Sequence, residues 1–320
     1  MTSVVCRRLI LMFASYVVLV SAVAARADDN IQRIRLSLLP FSESLGAVVA
    51  ERQGYFREAG LEIETTLFAS GALALPVLQS GHIDIAFSNT IATLQVIERG
   101  LDITVLGPGA IARKAAPDTT FAVMVLKGGI KNLKELEGKR VAVNVIRSAT
   151  WLYAVAGLEK AGVDWRKVEF IELPNPQQNA ALLNNQVDAI TQPEPFRTVL
   201  MATGKAAILQ YPMIETGPGN DITQYIALTS WVSQHRDTAL RFARAVAKGS
   251  EFANTNVAVT RDINQQFTHL NPAYKDKVQL PLFGRKINVA GMQQTMDLMV
   301  RFQLLKAPVD ISRHILQIPQ

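Results

Sequence analysis

Three short stretches place hydroxyl, carboxylate and amide groups where the chain turns from an extended run into a helical one. Phe41–Ser44 carries Ser42 and Glu43, Ala69–Gly71 carries Ser70 and Gly71, and Ser88–Thr90 carries Ser88, Asn89 and Thr90. The start of a helix exposes unpaired N–H groups at the positive end of its dipole, so such loops suit an anion or a polar oxygen. The same residue types also serve as plain N-caps. One loop does not separate the two readings; three on one sheet edge argue for a ligand.

A second set lies further along. Ser148 and Thr150 open another helix and offer hydroxyls and helix-terminal N–H groups to a carboxylate or sulfonate. Trp151 would cover an apolar or aromatic part of a ligand, or else be a core aromatic of its helix. Gln192 and Glu194 share a proline-rich loop, where Glu194 would accept from an amine or hydroxyl, or else sit as a solvated carboxylate. Arg147 and Asn220-Asp221 border the same region.

Other chemistries find little footing. His82, His235, His269 and His314 are isolated and lack metal-ligand spacing. The glycines of Gly107-Pro108-Gly109 and Gly217-Pro218-Gly219 match no phosphate-loop or dinucleotide fingerprint and read as turns. No Ser/His/Asp order or carboxylate pair suggests a catalytic centre, so neither a metal nor a cofactor is expected.

These loops need a scaffold that aims them together. Leu45, Val48, Val49, Arg52 and Phe56 mark one face of a helix, and Gly60 ends it. Leu61, Ile63, Thr65 and Leu67 alternate as in a strand. Ser70-Gly71 to Ser80-Gly81 is a short helix, and Ile83–Phe87 a second strand. With Ile34–Leu39 as the first strand, this is βαβ architecture, whose ligands bind at the carboxyl ends of parallel strands. The pattern then repeats. Ala59-Gly60-Leu61 echoes Ala161-Gly162-Val163, and Leu78–Asp84 echoes Leu182–Asp188. Two similar α/β lobes joined by extended segments make a cleft between facing loops. After the Thr223–Leu228 strand, the chain turns helical, with breaks at Pro272, Pro281 and Pro308, and is expected to pack back on the first lobe.

Arg7-Arg8, the apolar run Leu9–Val20 and Ala25-Arg26-Ala27 read as a secretory signal peptide cleaved after Ala27, the rival being an uncleaved anchor. The one cysteine, Cys6, falls inside that segment, so the mature chain would have no disulfide, thiolate site or Cys nucleophile. The formal charge of +6, from 33 basic and 27 acidic residues, loses Arg7, Arg8 and Arg26 on cleavage and drops to +3. With no basic run and 7% aromatics, a nucleic-acid partner is not expected.

Gly54-Tyr55-Phe56 followed by Ala59–Glu64 resembles the GYF…GL-x-VE stretch of the nitrate/sulfonate/taurine class of ABC-transporter substrate-binding proteins. Leu78–Ala86 is similar to their L-x-x-G-x-x-D-x-x element, and Leu133–Val143 to the D-L-K-G-K-K-V-A-V start of the second lobe. Val187-Asp188-Ala189 with Pro193 resembles the V-D-A…P loop. The resemblance implies a two-lobed type II periplasmic binding fold, each lobe a sheet flanked by helices, with two crossing strands. It divides the chain into a signal peptide (1–27), a first lobe in two segments (28–122 and 223–320) and a second lobe (123–222). It further implies a monomeric periplasmic protein that captures a small organic, anionic ligand for an ABC permease and its ATPase. Two alternatives stay open: an enzyme on the same fold acting on a pyrimidine or similar molecule, and a receptor for a sensor system. Thiamine-pyrimidine synthases and porphobilinogen deaminase share the architecture but depend on cysteines that the mature chain lacks.

Overall fold

The computed structural model describes residues 31–318. The expected signal peptide, its cleavage point and Cys6 lie outside the described residues. No described helix is long and apolar enough to cross a membrane.

The first lobe is built on a five-stranded sheet in the order β2-β1-β3-β11-β4. Its strands are β1 (Gln32–Leu38), β2 (Leu61–Leu67), β3 (Ile85–Asn89), β4 (Ile103–Pro108) and β11 (Thr223–Leu228). β1 pairs in parallel with β2 and β3, whereas β11 runs antiparallel between β3 and β4. The second lobe repeats this plan in the order β10-β6-β9-β7-β8. Its strands are β6 (Phe121–Leu126), β7 (Arg140–Val143), β8 (Glu169–Glu172), β9 (Ala189–Pro193) and β10 (Ala206–Gln210). β7 is parallel to β8 and β9, with β6 antiparallel to β9 and β10. The short β5 (Ala110–Ile111) and β12 (Leu282–Phe283) form a two-stranded ribbon beside the connection between lobes.

Twelve helices are described: α1 (Leu45–Arg52), α2 (Tyr55–Glu58), α3 (Gly71–Gln79), α4 (Thr90–Glu98), α5 (Ala149–Lys160), α6 (Asn175–Leu183), α7 (Phe196–Ala202), α8 (Pro212–Thr216), α9 (Thr229–Gln234), α10 (Arg236–Thr255), α11 (Val257–Phe267) and α12 (Val289–Arg301). The single helix expected from Leu45 to Phe56 is two, because Gly54 takes φ +79° and breaks the turn between α1 and α2. Lys131–Lys139 holds one 3-10 turn, Leu133–Leu136, followed by Gly138 at φ +74°.

Apolar cores cover both faces of each sheet. In the first, Ile34, Leu36, Phe87 and Tyr225 face α1 and α10, while Ala86, Ile103, Val105 and Ile226 face α3, α4 and α12. α1 and α10 touch backbone to backbone: a Cβ on Gly249 would lie 2.3 Å from the Gly46 carbonyl oxygen. In the second lobe, Ala122, Met124 and Ile190 face one layer and Val123, Val125 and Ala189 the other.

Within the C-terminal segment, α10 and α11 pack against α1. The last helix of the segment does more. From α12, Thr295 Oγ1 lies 3.0 Å from the Tyr153 hydroxyl of α5, and Arg301 pairs with Glu159 at 2.8 Å. Phe302 meets Trp165 edge to face, and the Arg147 guanidinium donates to the Gln303 carbonyl oxygen. α12 therefore bridges both lobes, which its amphipathic pattern alone does not reveal.

The facing sheet edges as a candidate ligand site

The pairing directions fix where the loops go. β1, β2 and β3 are parallel, so Pro40–Ser44, Phe68–Gly71 and Asn89–Thr90 emerge from one edge of the first sheet. In the second sheet, Asn144–Ser148 after β7 and Glu194-Pro195 after β9 emerge from the equivalent edge. The chain crosses between lobes from β4 to β6 and back from β10 to β11, joining these two edges. They consequently face each other. Contact across them is direct: the Phe41 and Phe196 rings lie 6.3 Å apart, edge to face.

On the first edge, Ser42 and Ser44 turn inward. Ser42 Oγ donates to Asn264 Oδ1 of α11 at 2.8 Å, and Ser44 Oγ donates to the Leu39 carbonyl at 2.8 Å while accepting from the Leu39 amide. Glu43, between them, stays partly accessible and has no ion-pair or side-chain hydrogen-bond partner among the described residues. Burial pushes its carboxyl up to about 7, opposed only by its own backbone N–H. Ser70 is the N-cap of α3 and makes no side-chain capping bond. Gly71 is required by close approach, since a Cβ there would sit 2.8 Å from Ser88 Cα. The Ser88 hydroxyl is fully buried beneath it with no partner. Asn89 caps α4, accepting from the Ala92 amide at 2.8 Å. Thr90 ties this loop to the returning connection, its hydroxyl donating to the Asp221 carbonyl at 2.7 Å.

On the second edge, Ser148 and Thr150 converge on one acceptor: both hydroxyls donate to Asn144 Oδ1. Ser148 is the N-cap of α5 without a side-chain capping bond, which leaves first-turn amides of a twelve-residue helix free to meet a ligand. Gln192 is buried; its Nε2 donates to the Asn175 carbonyl at 2.9 Å and to Asn179 Oδ1 at 2.8 Å, and its Oε1 has no partner.

Trp151 and Glu194 are placed inward, like Ser42. Trp151 packs edge to face with Trp165 and Phe170 in the core. Both Glu194 oxygens are filled: Oε1 accepts from Arg197 Nε and Nη2 at 3.0 and 2.8 Å, and Oε2 from the Thr198 amide at 3.1 Å. Arg197 in turn donates to the Asp118 carbonyl at 2.6 Å, which anchors the loop to the first crossing. Each therefore shapes the edge from behind.

Asn144, Phe41 and Phe196 are members of the edge that sequence reasoning passed over. The signal for the two phenylalanines was present: Pro40-Phe41 and Pro195-Phe196 are the same dipeptide at equivalent loops. Near the crossings, Asp221 accepts from the Asn288 amide at 2.8 Å, and burial pushes its carboxyl up to about 6 against that bond. Among the described residues no group of three or more His, Cys, Asp or Glu could hold a metal.

The fold recurs in solved periplasmic proteins. The aliphatic sulphonate binding protein SsuA of Escherichia coli superimposes with a TM-score of 0.75 at 19% identity, over 89% of this chain and 98% of that one. The nitrate-binding protein NrtA of Synechocystis gives 0.69 at 14% identity, over 88% of this chain and 84% of the other. In sequence, a Brucella abortus protein named as a binding protein is 22% identical across 89% of this chain and 90% of its own length. The YtlA binding protein of Bacillus subtilis is 21% identical across 78% and 75%. The family model described as NMT1/THI5 like matches residues 42–256, which is about two-thirds of the chain. The chain thus belongs to the NMT1/THI5-like family, and its two-lobed fold is that of the periplasmic binding proteins.

Proposed function

We propose that this protein is a periplasmic solute-binding protein, monomeric and without catalytic activity of its own, that captures a small organic anion between its lobes and hands it to an ABC permease and ATPase. The observation that carries this reading is the meeting of two polar sheet edges, closed at one point by Phe41 against Phe196. Glu43, Ser70, Gly71, Ser88, Asn89 and Thr90 would form one jaw, and Ser148, Thr150 and Gln192 the other. Ser42, Trp151 and Glu194 would support them from within. Contacts made from both lobes at once stabilise the closed state selectively, which is how such a clamp responds to its solute. The free amides at the start of α5 suit an anionic head. The sulphonate and nitrate named for the structural neighbours are consistent with that head.

Thermal-shift screening against sulfonates, nitrate, aromatic carboxylates and pyrimidines tests the reading. A ligand should raise the melting temperature of the parent protein and lose most of that effect in a Ser148→Ala/Thr150→Ala double variant. Turnover of the bound compound in the same samples would overturn the non-enzymatic assignment.

A further inference from the structure

Away from the facing loops, a cavity of about 500 Å³ opens at the outer edge of the first sheet, beside β4. Small-molecule sites span about 300–1,000 Å³, so it is large enough for one guest. Val246 and Ala247 of α10 form one wall, next to Leu106 of β4. Ile287, between β12 and α12, forms a second, and Ile315 and Leu316 of the last described segment a third. None of its lining residues belongs to the loops that meet across the seam.

Hydrogen bonds hold these walls in place. The Leu316 amide donates to the Val105 carbonyl at 2.9 Å, and the Arg236 guanidinium donates to the Gln317 carbonyl at 3.1 Å. The 284–289 segment is fixed at both ends: the Gly284 amide donates to the Gly109 carbonyl at 2.9 Å, and Asn288 Nδ2 to the Gly219 carbonyl at 3.0 Å. The cavity is thus preformed, which lowers the ordering cost of filling it. Arg244, Arg285 and Lys286 also line it, whereas no Asp or Glu does. Arg285 pairs with Glu251 at 3.5 Å, but among the described residues the Arg244 and Lys286 side chains have no ion-pair or hydrogen-bond partner. All three cations are exposed, while Leu106, Val246 and Leu316 are buried. An apolar interior and a cationic rim suit opposite ends of one molecule.

We propose that this cavity is a second binding site, separate from the cleft, and that it takes a free medium-chain monocarboxylate. The alkyl tail lies among Leu106, Val246, Ile287 and Leu316. The carboxylate stays at the rim, where the planar guanidinium of Arg244 matches it fork to fork and Lys286 adds charge. Exposed ion pairs contribute little, so the tail supplies most of the affinity and chain length is selected. Val289 and Ile318, 46% and 48% exposed, extend the apolar surface outward. The chain's own apolar run, Leu9–Val20, is a poor occupant, because Arg7 and Arg8 ahead of it repel the rim.

Isothermal titration calorimetry with hexanoate, octanoate, decanoate and 1-octanol tests this. Affinity should rise by up to about fourfold per methylene. Octanoate should bind about fivefold more tightly than 1-octanol, a preference that disappears in Arg244→Gln/Lys286→Gln. Ala247→Phe, which fills the cavity, should abolish binding of both, and melting curves without ligand establish that the variants fold. The Ser148→Ala/Thr150→Ala variant should bind octanoate as the parent does. Loss of binding there would put the carboxylate in the cleft, overturning the second site while supporting solute capture. Absence of binding, indifference to chain length or to the head group, or binding only to anionic phospholipid vesicles would also overturn it. So would a dimer in sedimentation that Ala247→Phe dissociates, since a second copy would then fill the cavity.

Discussion

Asp84 and Asp188 show what a motif residue does once its surroundings are known. Asp84 Oδ2 accepts from the Arg35 amide at 2.8 Å and from its Nε at 3.0 Å, while the Asp84 amide donates to the Arg35 carbonyl at 2.9 Å. Asp188 repeats the arrangement with Arg140, at 2.9 Å to the amide, 3.3 Å to Nε and 2.9 Å back. The repeat of Leu78–Asp84 in Leu182–Asp188 was legible in the sequence. The role was not, because the arginine partners stand 49 and 48 positions away. Both aspartates stand immediately before a strand, β3 or β9, and tie it to its parallel neighbour, at the end away from the candidate ligand loops. Replacing either by Ala removes an ion-assisted acceptor from a backbone amide and should cost about 1–3 kcal/mol in denaturant unfolding, with ligand affinity unchanged. Burial opposes ionisation of Asp188, but the Arg140 amide and guanidinium outweigh it and hold the carboxyl below its usual range. That contribution is present at neutral pH and is lost as pH falls through the lowered value. Ser42 teaches the converse: its type and loop suggested a ligand contact, whereas Asn264, more than two hundred residues on, claims its hydroxyl.

At the scale of elements, the periodicity of Ala239, Phe242, Ala243 and Val246 is enough to mark the buried face of α10. It could not reveal the closeness of the partner helix, because that depends on Gly46 and Gly249 meeting across about two hundred residues of chain. Gly249→Ala would push a methyl group against the Gly46 carbonyl oxygen, at 2.3 Å, and against Ala50, at 2.8 Å. Backbone cannot yield as a side chain does, so the helices must separate, at about 1–3 kcal/mol. Gly46→Ala meets the Ser250 hydroxyl at 2.8 Å, a side-chain atom rather than backbone, and should cost less. Urea unfolding of the two variants should rank them in that order; equal losses would argue against a backbone contact. The helical tail was legible as helical, but α12 reaches the second lobe through Thr295, Arg301 and Phe302, and such tertiary choices leave no local trace.

Across the whole molecule, the partly accessible Glu43 and the buried Asp221 set the response to pH. Burial holds Glu43 at about 7 and Asp221 at about 6, in the second case against the hydrogen bond from the Asn288 amide. A folded value above the unfolded one means that the native state keeps a proton the unfolded chain would release. The stability tied to it is complete at low pH, below the unfolded values, and is lost as pH rises through about 6 and about 7. For Glu43 alone the swing is on the order of 3 kcal/mol. Asp188, Glu137 and Asp310 are held below their ordinary values and titrate beneath this window. Unfolding free energy should therefore be higher near pH 5 than near pH 8, and Glu43→Gln should flatten most of the slope. A flat profile in the parent protein would mean that Glu43 is solvated rather than enclosed.

The Phe41–Phe196 contact carries a consequence for traffic in and out of the protein. An aromatic pair of this kind is worth about 0.5–1.5 kcal/mol beyond the area it covers. That is enough to change the fraction of time the mouth stands ajar by roughly two- to tenfold, and too little to lock it. α12 and the residues just after it grip both lobes through hydrogen bonds, an ion pair and an aromatic contact, so if the lobes part they would do so more readily at the phenylalanines than at α12. How long a solute stays would then be governed jointly by its own bonds and by the Phe41–Phe196 contact. Trimming that contact would shorten residence while leaving the chemical identity of the guest unaltered.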